Sequence, residues 1–415
     1  MPETITTRCC IAGGGPAGMM LGFLLARAGI DVVVLEKHKD FLRDFRGDTI
    51  HPSTLELMHE LGLVDEFLKL PHERAEVLSG RYGSLPVTIA DLRHLPTHSK
   101  FIALMPQWDF LNFLAAHGRR YPGFHLLMET EAKELIEEGG RVTGLRATTP
   151  NGPIEIRSTL TVGCDGRHST VREKAGLAVE TLGAPMDVLW FRLSRKSGDS
   201  QQTGGVFLPG RIFVTLNRGD YWQCAYVIPK GSIEEVHRRG LEAFRADIAS
   251  AVPDFADRVG EIADWDQVKL LTVAVDRLNR WHKPGLLCIG DAAHAMSPIG
   301  GVGINLAVQD AAAAANILWQ PLRRGHAGED DLARVQKRRE FPTRLTQAIQ
   351  VFLQDRVISR ALAAKGELEA PLAVRLLGRF PPLRRIPARL LGLGVRPEHV
   401  RTPVVQPPAT AISHV

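Results

Sequence analysis

The spacing of apolar positions switches period twice within the first 36 residues. Arg8–Ala12 closes on a short apolar run, the pattern of a buried strand. Met19, Leu21, Leu24 and Leu25 then recur on one helical face and predict a helix over Gly18–Ala28, which Gly29 ends. Ile30-Asp31-Val32-Val33-Val34-Leu35 is β-branched almost throughout and predicts a second strand. Strand, helix and strand in so short a stretch make one βαβ unit, and its two strands must run parallel.

Further along, Thr54–Leu70 has helical spacing, and so does Asp109–Arg120, with Asp109 as the expected N-cap. Between them, Val77–Met105 carries short alternating apolar runs. Thr159–Val162 and Leu286–Ile289 read as two more buried strands, each followed closely by Gly and Asp. Met186–Lys230 has a different texture. Its runs Val188–Leu193, Arg211–Leu216 and Tyr221–Ile228 are broken by Gly and Pro clusters, the pattern of antiparallel sheet. Val302–Trp319 is a long Ala-rich helix. The chain after Phe380 is rich in Pro and Arg and reads as helix and loop on the surface. No internal repeat is visible.

Nucleotide-type elements therefore fall at both ends of the chain, with sheet segments between them. The expected fold is α/β: a nucleotide-binding domain of the GxGxxG type built from 1–76, 106–183 and 281–345. A mixed or antiparallel substrate sheet from 77–105 and 184–280 is inserted in it, and C-terminal helices and tail follow over 346–415.

Composition narrows the partners. A chain of 415 residues with 44% hydrophobic and 23% charged residues can bury a large two-lobed core. The net charge of +5, from 51 basic and 46 acidic residues, reads as small and mostly dispersed, which leaves no footprint for nucleic acid. Cys9, Cys10, Cys164, Cys224 and Cys288 are odd in number and scattered, with no CxxC pair. They form neither a disulfide framework nor a zinc site, so no metal is expected and a reducing cytoplasm is the expected compartment. Cys9–Ala26 is uncharged and follows Arg8, which mimics a signal peptide or a membrane span. The glycines at 13, 14, 15 and 18 and Pro16 break it, and no other segment is long and apolar enough for stable membrane insertion.

Three motifs carry chemistry. Gly13-Gly14-Gly15-Pro16-Ala17-Gly18 is a GxGxxG between a strand and a helix. Gly13 permits the turn, Gly15 admits a pyrophosphate to the backbone, and Gly18 lets helix and strand pack closely. Glu36 ends the second strand eighteen residues past the last glycine, where a carboxylate accepts from ribose hydroxyls; Lys37 follows it. The second motif is Gly290-Asp291-Ala292-Ala293-His294, followed by Pro298-Ile299-Gly300-Gly301-Val302-Gly303 at the start of the long helix. Asp291 can accept from a polyol chain, and the Gly300–Gly303 turn can approach a ring system beside the positive end of a helix. The third is Cys164-Asp165-Gly166-Arg167-His168-Ser169-Thr170, which on its own is an Asx-turn closing a strand.

These three motifs in this order resemble the class A flavoprotein monooxygenases, the para-hydroxybenzoate hydroxylase-like family, over residues 8 to 345. The resemblance implies FAD as cofactor and NADH or NADPH as a transient reductant. It implies hydroxylation of a small aromatic or polycyclic, phenol-like substrate with O2, through a flavin C4a-hydroperoxide. By the same resemblance Gly13, Gly15, Pro16, Ala17, Gly18, Glu36 and Lys37 contact the cofactor, and Asp165 lies by the FAD phosphates and helps NAD(P)H bind. Asp291 holds the ribityl chain, and Pro298, Gly301, Val302 and Gly303 surround the flavin, with Pro298 at its C4a edge. Arg46, in Arg46-Gly47-Asp48, and Gln107 match more weakly as cofactor contacts. Arg46 and Pro298 are the catalytic candidates.

Absences sharpen the expectation. No second GxGxxG marks a separate NAD(P)H domain, and no thioredoxin-like extension follows. Trp222-Gln223-Cys224-Ala225-Tyr226-Val227-Ile228-Pro229 is similar to the halogenase motif Trp-x-Trp-x-Ile-Pro without matching it. A halogenase or reductase on the same fold, and a flavin-containing ligand binder without turnover, stay open as alternatives. His51 is a candidate for the substrate pocket or a solvated loop residue; His294 is an acid–base group or a structural hydrogen-bonder. Phe213, Thr215, Trp222 and Tyr226 either stack on a flat substrate or pack in a core. Arg379, Arg384, Arg385 and Arg389 form a solvated face or touch an anionic membrane. The sequence leaves monomer and homodimer equally open.

Overall fold

The computed structural model describes residues 3–42, 49–200 and 203–405. In chain order its principal strands begin with β1 (Glu3–Ala12), β2 (Val32–Leu35), β3 (Val77–Tyr82), β4 (Leu85–Asp91) and β5 (Phe124–Leu127). They continue with β6 (Glu131–Glu138), β7 (Arg141–Thr149), β8 (Gly152–Gly163), β9 (Met186–Ser194) and β10 (Gly204–Leu208). The last are β11 (Arg211–Asn217), β12 (Tyr221–Pro229), β13 (Lys269–Leu271), β14 (His282–Lys283) and β15 (Leu286–Cys288). The helices that matter here are α1 (Pro16–Arg27), α2 (Pro52–Glu60), α3 (Gln107–Gly118), α4 (Thr170–Lys174), α5 (Leu241–Ala251) and α6 (Gly303–Arg323). Near the C-terminus come α7 (Glu329–Leu353), α8 (Leu372–Arg379) and α9 (Arg385–Gly392).

Two large sheets divide the work. The first runs β14-β15-β8-β1-β2-β5, with β7 and β6 added as antiparallel strands beside β8. Its central five strands are parallel. The βαβ unit is the one that the apolar pattern predicts, and α1 packs against α3 and α6 over this sheet. The second sheet runs β13-β9-β12-β11-β10-β3-β4 and is antiparallel except where β10 meets β3. It is therefore mixed, and it draws on both intervening stretches of the chain.

Three elements differ from the sequence reading. The helix expected over Thr54–Leu70 stops at Glu60, because Gly62 turns the chain with φ +72°; a short helix resumes at Val64–Phe67. Asp109 lies in the first turn of α3 and not at its N-cap, which is Pro106; its carboxylate still sits beside the positive end of the helix. Helix α7 runs straight through residue 345, where the nucleotide domain was expected to end.

Candidate active site

The three motifs terminate neighbouring strands. Gly13 follows β1, Asp165 follows β8 and Asp291 follows β15, and these strands lie side by side in the order β15-β8-β1. This is the carboxyl edge of a parallel sheet, where such folds bind their ligands. The first two turns touch: a Cβ on Gly13 (φ +108°) would lie 2.3 Å from the Cys164 carbonyl oxygen and 2.8 Å from the Asp165 Cα. A Cβ on Gly18 would lie 1.9 Å from the Gly13 oxygen, so α1 seats directly on the turn. Gly15 differs, since a Cβ there meets nothing within 4 Å.

That open space faces an uncapped helix. Gly15 is the N-cap of α1, and its first turn has neither a side-chain cap nor an acidic residue. Helix α6 begins in the same way: Val302 gives no side-chain cap, the first turn holds no acid, and a Cβ on Gly303 meets nothing within 4 Å. Two helix N-termini with N–H groups uncapped by any side chain, each beside unfilled space, suit the two anionic parts of FAD: its pyrophosphate and the pyrimidine edge of the reduced flavin. The residues present fit the cofactor. Pro16 and Ala17 are the first residues of α1, and Pro298 opens the turn that leads to α6.

Glu36 is buried. Its Oε2 accepts from the Gly14 N–H at 3.2 Å and its Oε1 from the His38 N–H at 3.0 Å, which fixes the carboxylate against the glycine turn. Lys37 beside it is exposed. Arg46 lies outside the described residues. Gln107 is half-buried at the start of α3. Asp165 engages both carboxylate oxygens within its own turn: Ser169 Oγ donates to Oδ1 at 2.5 Å and the Val171 N–H to Oδ2 at 3.0 Å. Burial raises its pKa against those hydrogen bonds. Its position is that of an Asx-type anchor for α4, which holds the second turn in shape beside the first.

Several residues that build the site were not visible as motifs. Arg172 on α4 donates to the Arg167 carbonyl at 2.5 Å and to the Ala292 carbonyl at 3.5 Å, tying the Asp165 turn to the half-buried Asp291 turn. Asn305 on α6 accepts from the His51 N–H (2.9 Å) and Thr54 Oγ1 (2.7 Å), and donates to the Thr49 and Gly301 carbonyls (3.2 and 3.3 Å). It locks the glycine turn to 49–54. Gly301 (φ +62°) is required there, because a Cβ would lie 2.3 Å from Thr49 Oγ1. On α7, Gln350 donates to the Ser297 and Ile299 carbonyls (2.9 and 3.0 Å) and accepts from the Ser297 N–H (3.2 Å). Gln347 holds the Ala295 carbonyl at 3.1 Å, and Gln354 the Ser297 hydroxyl at 2.9 Å. These glutamines clamp the segment around Pro298.

The histidines resolve as structural. His294 is buried with Nε2 2.5 Å from Asp310 Oδ2. Asp310 also accepts from the Gly290 N–H (3.1 Å) and from Arg339 Nε (2.9 Å). His51 is fully buried, with Nδ1 2.7 Å from the Leu391 carbonyl, so Nδ1 carries the proton and donates. Burial pulls its pKa down to about 4, so it is neutral near pH 7. It is not a solvated loop residue. Burial likewise raises the pKa of all five cysteines, none of which forms a disulfide, so they remain thiols.

The aromatic assignments need correction. Phe213, Trp222 and Tyr226 pack with Phe191, Phe244 and Phe255 in a core between the second sheet and α5. Thr215 has the same parity in β11 and bonds to the Gly204 carbonyl. The opposite face is the one that packs against Ile299 in the glycine turn, and it carries Val188, Trp190, Ile212, Val214, Ala225 and Val227. Across it runs one row of paired positions, Gly80–Gly205–Val214–Ala225–Trp190. The half-buried Trp190 follows Ala225 in that row, before Lys269 of β13, and its indole N–H has no hydrogen-bond partner. Among the described residues no His, Cys, Asp and Glu cluster could hold a metal ion, and no helix is long and apolar enough to cross a membrane.

Comparison with known proteins agrees with this geometry. Residues 6–349 match the family model described as FAD binding domain. The 6-methylpretetramide 4-monooxygenase of Streptomyces rimosus is 32% identical over 392 residues, covering 92% of each chain. A rifampicin monooxygenase of Rhodococcus hoagii is 30% identical over 333 residues, which span 72% of this chain and 61% of that enzyme. In fold, the chain matches p-nitrophenol 4-monooxygenase PnpA of Pseudomonas putida DLL-E4 with a TM-score of 0.75 at 23% identity, over 95% of this chain and 100% of that one.

Proposed function

The chain belongs to the FAD-binding domain family and is an FAD-dependent monooxygenase, and from that premise we propose that it hydroxylates a flat, polycyclic aromatic substrate held under the inner face of the second sheet. The observation that carries this reading is the row Gly80–Gly205–Val214–Ala225–Trp190. Two glycines, a valine and an alanine on adjacent strands give an apolar strip of small side chains, flanked by Phe207, whose ring would lie 3.3 Å from a Cβ on Gly205. Such a surface suits an extended planar ring system better than a single small ring. The substrate names carried by the two relatives, 6-methylpretetramide and rifampicin, support a large aromatic or polyketide-type molecule.

Bound FAD supplies reduction by NAD(P)H and activation of O2. The protein's own residues do the remainder. The N-terminus of α1 holds the pyrophosphate, with Gly15 leaving room for it. The Gly300–Gly303 turn and the N-terminus of α6 would face the pyrimidine edge of the flavin and favour negative charge there. The glutamines of α7 and Asn305 of α6 fix Pro298 and the glycine turn, the segment that would border the flavin. The apolar row excludes water from the space between. Trp190 offers its indole N–H as a donor to a carbonyl or phenol oxygen on the substrate.

Turnover with 18O2 in the presence of NADH or NADPH tests the reading. Polycyclic phenols and quinones are expected to accelerate NAD(P)H oxidation and to emerge carrying one labelled oxygen. Halide-dependent turnover, or NAD(P)H oxidation with no label in any product, overturns it. Trp190→Phe is expected to keep full FAD content and kcat but to raise KM about tenfold, the cost of one lost hydrogen bond to a bound substrate. An unchanged KM removes Trp190 from the substrate site.

A further inference from the structure

The net charge of +5 is not dispersed after all. Residues 370–397 contain six arginines and no acidic residue, so this one segment carries more than the whole excess of the chain. It folds as the hairpin of α8 and α9, laid along β4. Arg384 fastens the pair, its Nε donating to the Leu377 carbonyl at 2.9 Å and its Nη2 to the Gly378 carbonyl at 3.1 Å. The inner side of α9 packs on the body of the protein through Ala388 and Gly392.

The outer side is apolar. Leu372 and Leu376 share one side of α8, and Ile386 and Leu390 share one side of α9; Phe380 and Leu383 lie between them. All six are exposed, Leu372 by 66%, Phe380 by 50% and Ile386 by 61%. Arg375, Arg379, Arg385 and Arg389 are exposed among them, and none forms an ion pair among the described residues. A set of large apolar side chains interleaved with unpaired arginines, on two short helices packed along β4, is complementary to one kind of partner. The arginines match phosphate headgroups and the apolar side chains reach the acyl boundary below them.

We infer that the α8–α9 hairpin seats this enzyme on the surface of an anionic phospholipid bilayer. The contact is peripheral and needs no spanning helix. It places the bilayer directly behind the site, because Leu391 of α9 takes the His51 proton bond and its side chain would meet a Cβ on Gly300 at 2.6 Å. An apolar ring substrate dissolved in the membrane then lies within a few side chains of the glycine turn.

Flotation of the purified FAD-loaded enzyme with vesicles tests the inference. We expect binding to vesicles of phosphatidylcholine mixed with phosphatidylglycerol, loss of binding at high salt, and none to phosphatidylcholine alone. Arg375→Glu/Arg389→Glu and Leu376→Ser/Ile386→Ser should each lower binding about tenfold or more while FAD content and the thermal midpoint stay as in the parent. Failure to bind anionic vesicles, equal binding to neutral ones, or full binding by both double variants overturns it. So does a dimer that Leu376→Ser/Ile386→Ser dissolves in a protein that ignores vesicles, since a second copy would then cover the face.

Discussion

Gly15→Val is expected to yield a folded protein that holds no FAD. The backbone at Gly15 has φ −76° and ψ −175°, extended geometry that a β-branched residue adopts without strain, and a Cβ there touches nothing within 4 Å. The chain itself therefore tolerates valine. The space that the valine fills is the space in front of the α1 N-terminus, where the pyrophosphate must approach to reach the backbone N–H groups. Each charge-assisted hydrogen bond lost there costs about 1.5–3 kcal/mol, so losing two weakens FAD binding by roughly a hundredfold to ten-thousandfold. The purified variant should be colourless, unfold at the temperature of the parent stripped of FAD, and show no upward shift when FAD is added. If the loop were only a glycine-rich turn, valine would be neutral or slightly stabilising, and full flavin content in the variant would refute the placement.

The neighbouring glycines fail for another reason, and the contrast makes the test specific. Alanine at Gly18 would press a Cβ to 1.9 Å from the Gly13 oxygen, and alanine at Gly13 would meet the Cys164 carbonyl at 2.3 Å with φ at +108°. Those positions are occupied by protein backbone, so such variants lose the fold together with the cofactor. Gly15 is the one glycine of the three whose missing side chain is reserved for something other than protein.

Legibility in the sequence followed the range of the interactions. The βαβ unit could be read because its evidence is local: two runs of strand texture around a helical period, with glycines at the joints. The placement of the three motifs on adjacent strand ends followed once those strands were found. The inner face of the second sheet was harder to read: β12 carries apolar side chains at both parities, and although Ile212, Val214 and Leu216 alternate cleanly in β11, alternation marks a buried face without telling what covers it. The larger aromatics lie on the other face, in the core that α5 covers. Asn305 was invisible because its partner Thr49 lies 256 residues away. The glutamines at 347, 350 and 354 leave only a trace, three amides on one face of a highly charged helix. The basic stretch around Arg379–Arg389 was legible; the exposed apolar side chains set among those arginines were not, because exposure is decided only when α8 and α9 pack on β4.

Loss of Asp310 should be strongly destabilising, and it should act without touching the cofactor directly. Asp310 is fully buried, and its carboxylate accepts from His294, Arg339 and the Gly290 N–H. Arg339, also buried, extends the network to Glu398 near the C-terminus at 3.3 Å. Removing one member of a buried ionic network strands the others, at a cost of about 3–5 kcal/mol. Asp310→Ala is expected to lose that much in denaturant unfolding. Asp310→Ala/Arg339→Ala should lose clearly less than the two single changes added together, because the second removes a charge that the first has stranded. Burial pushes the Asp310 carboxyl up, but His294 and Arg339 outweigh it and hold its pKa below the ordinary value. A depressed folded-state pKa means that the stabilisation is present above the unfolded value, near 3.9, and is lost as pH falls through the folded one. The gap between parent and Asp310→Asn should therefore narrow below about pH 4. The Gly290 bond joins this network to the turn that carries Asp291, so FAD release from Asp310→Ala should accelerate as well. Stability within about 1 kcal/mol of the parent, with additive single and double variants, would mean that the network only fills space and does not hold the two ends of the chain around the site.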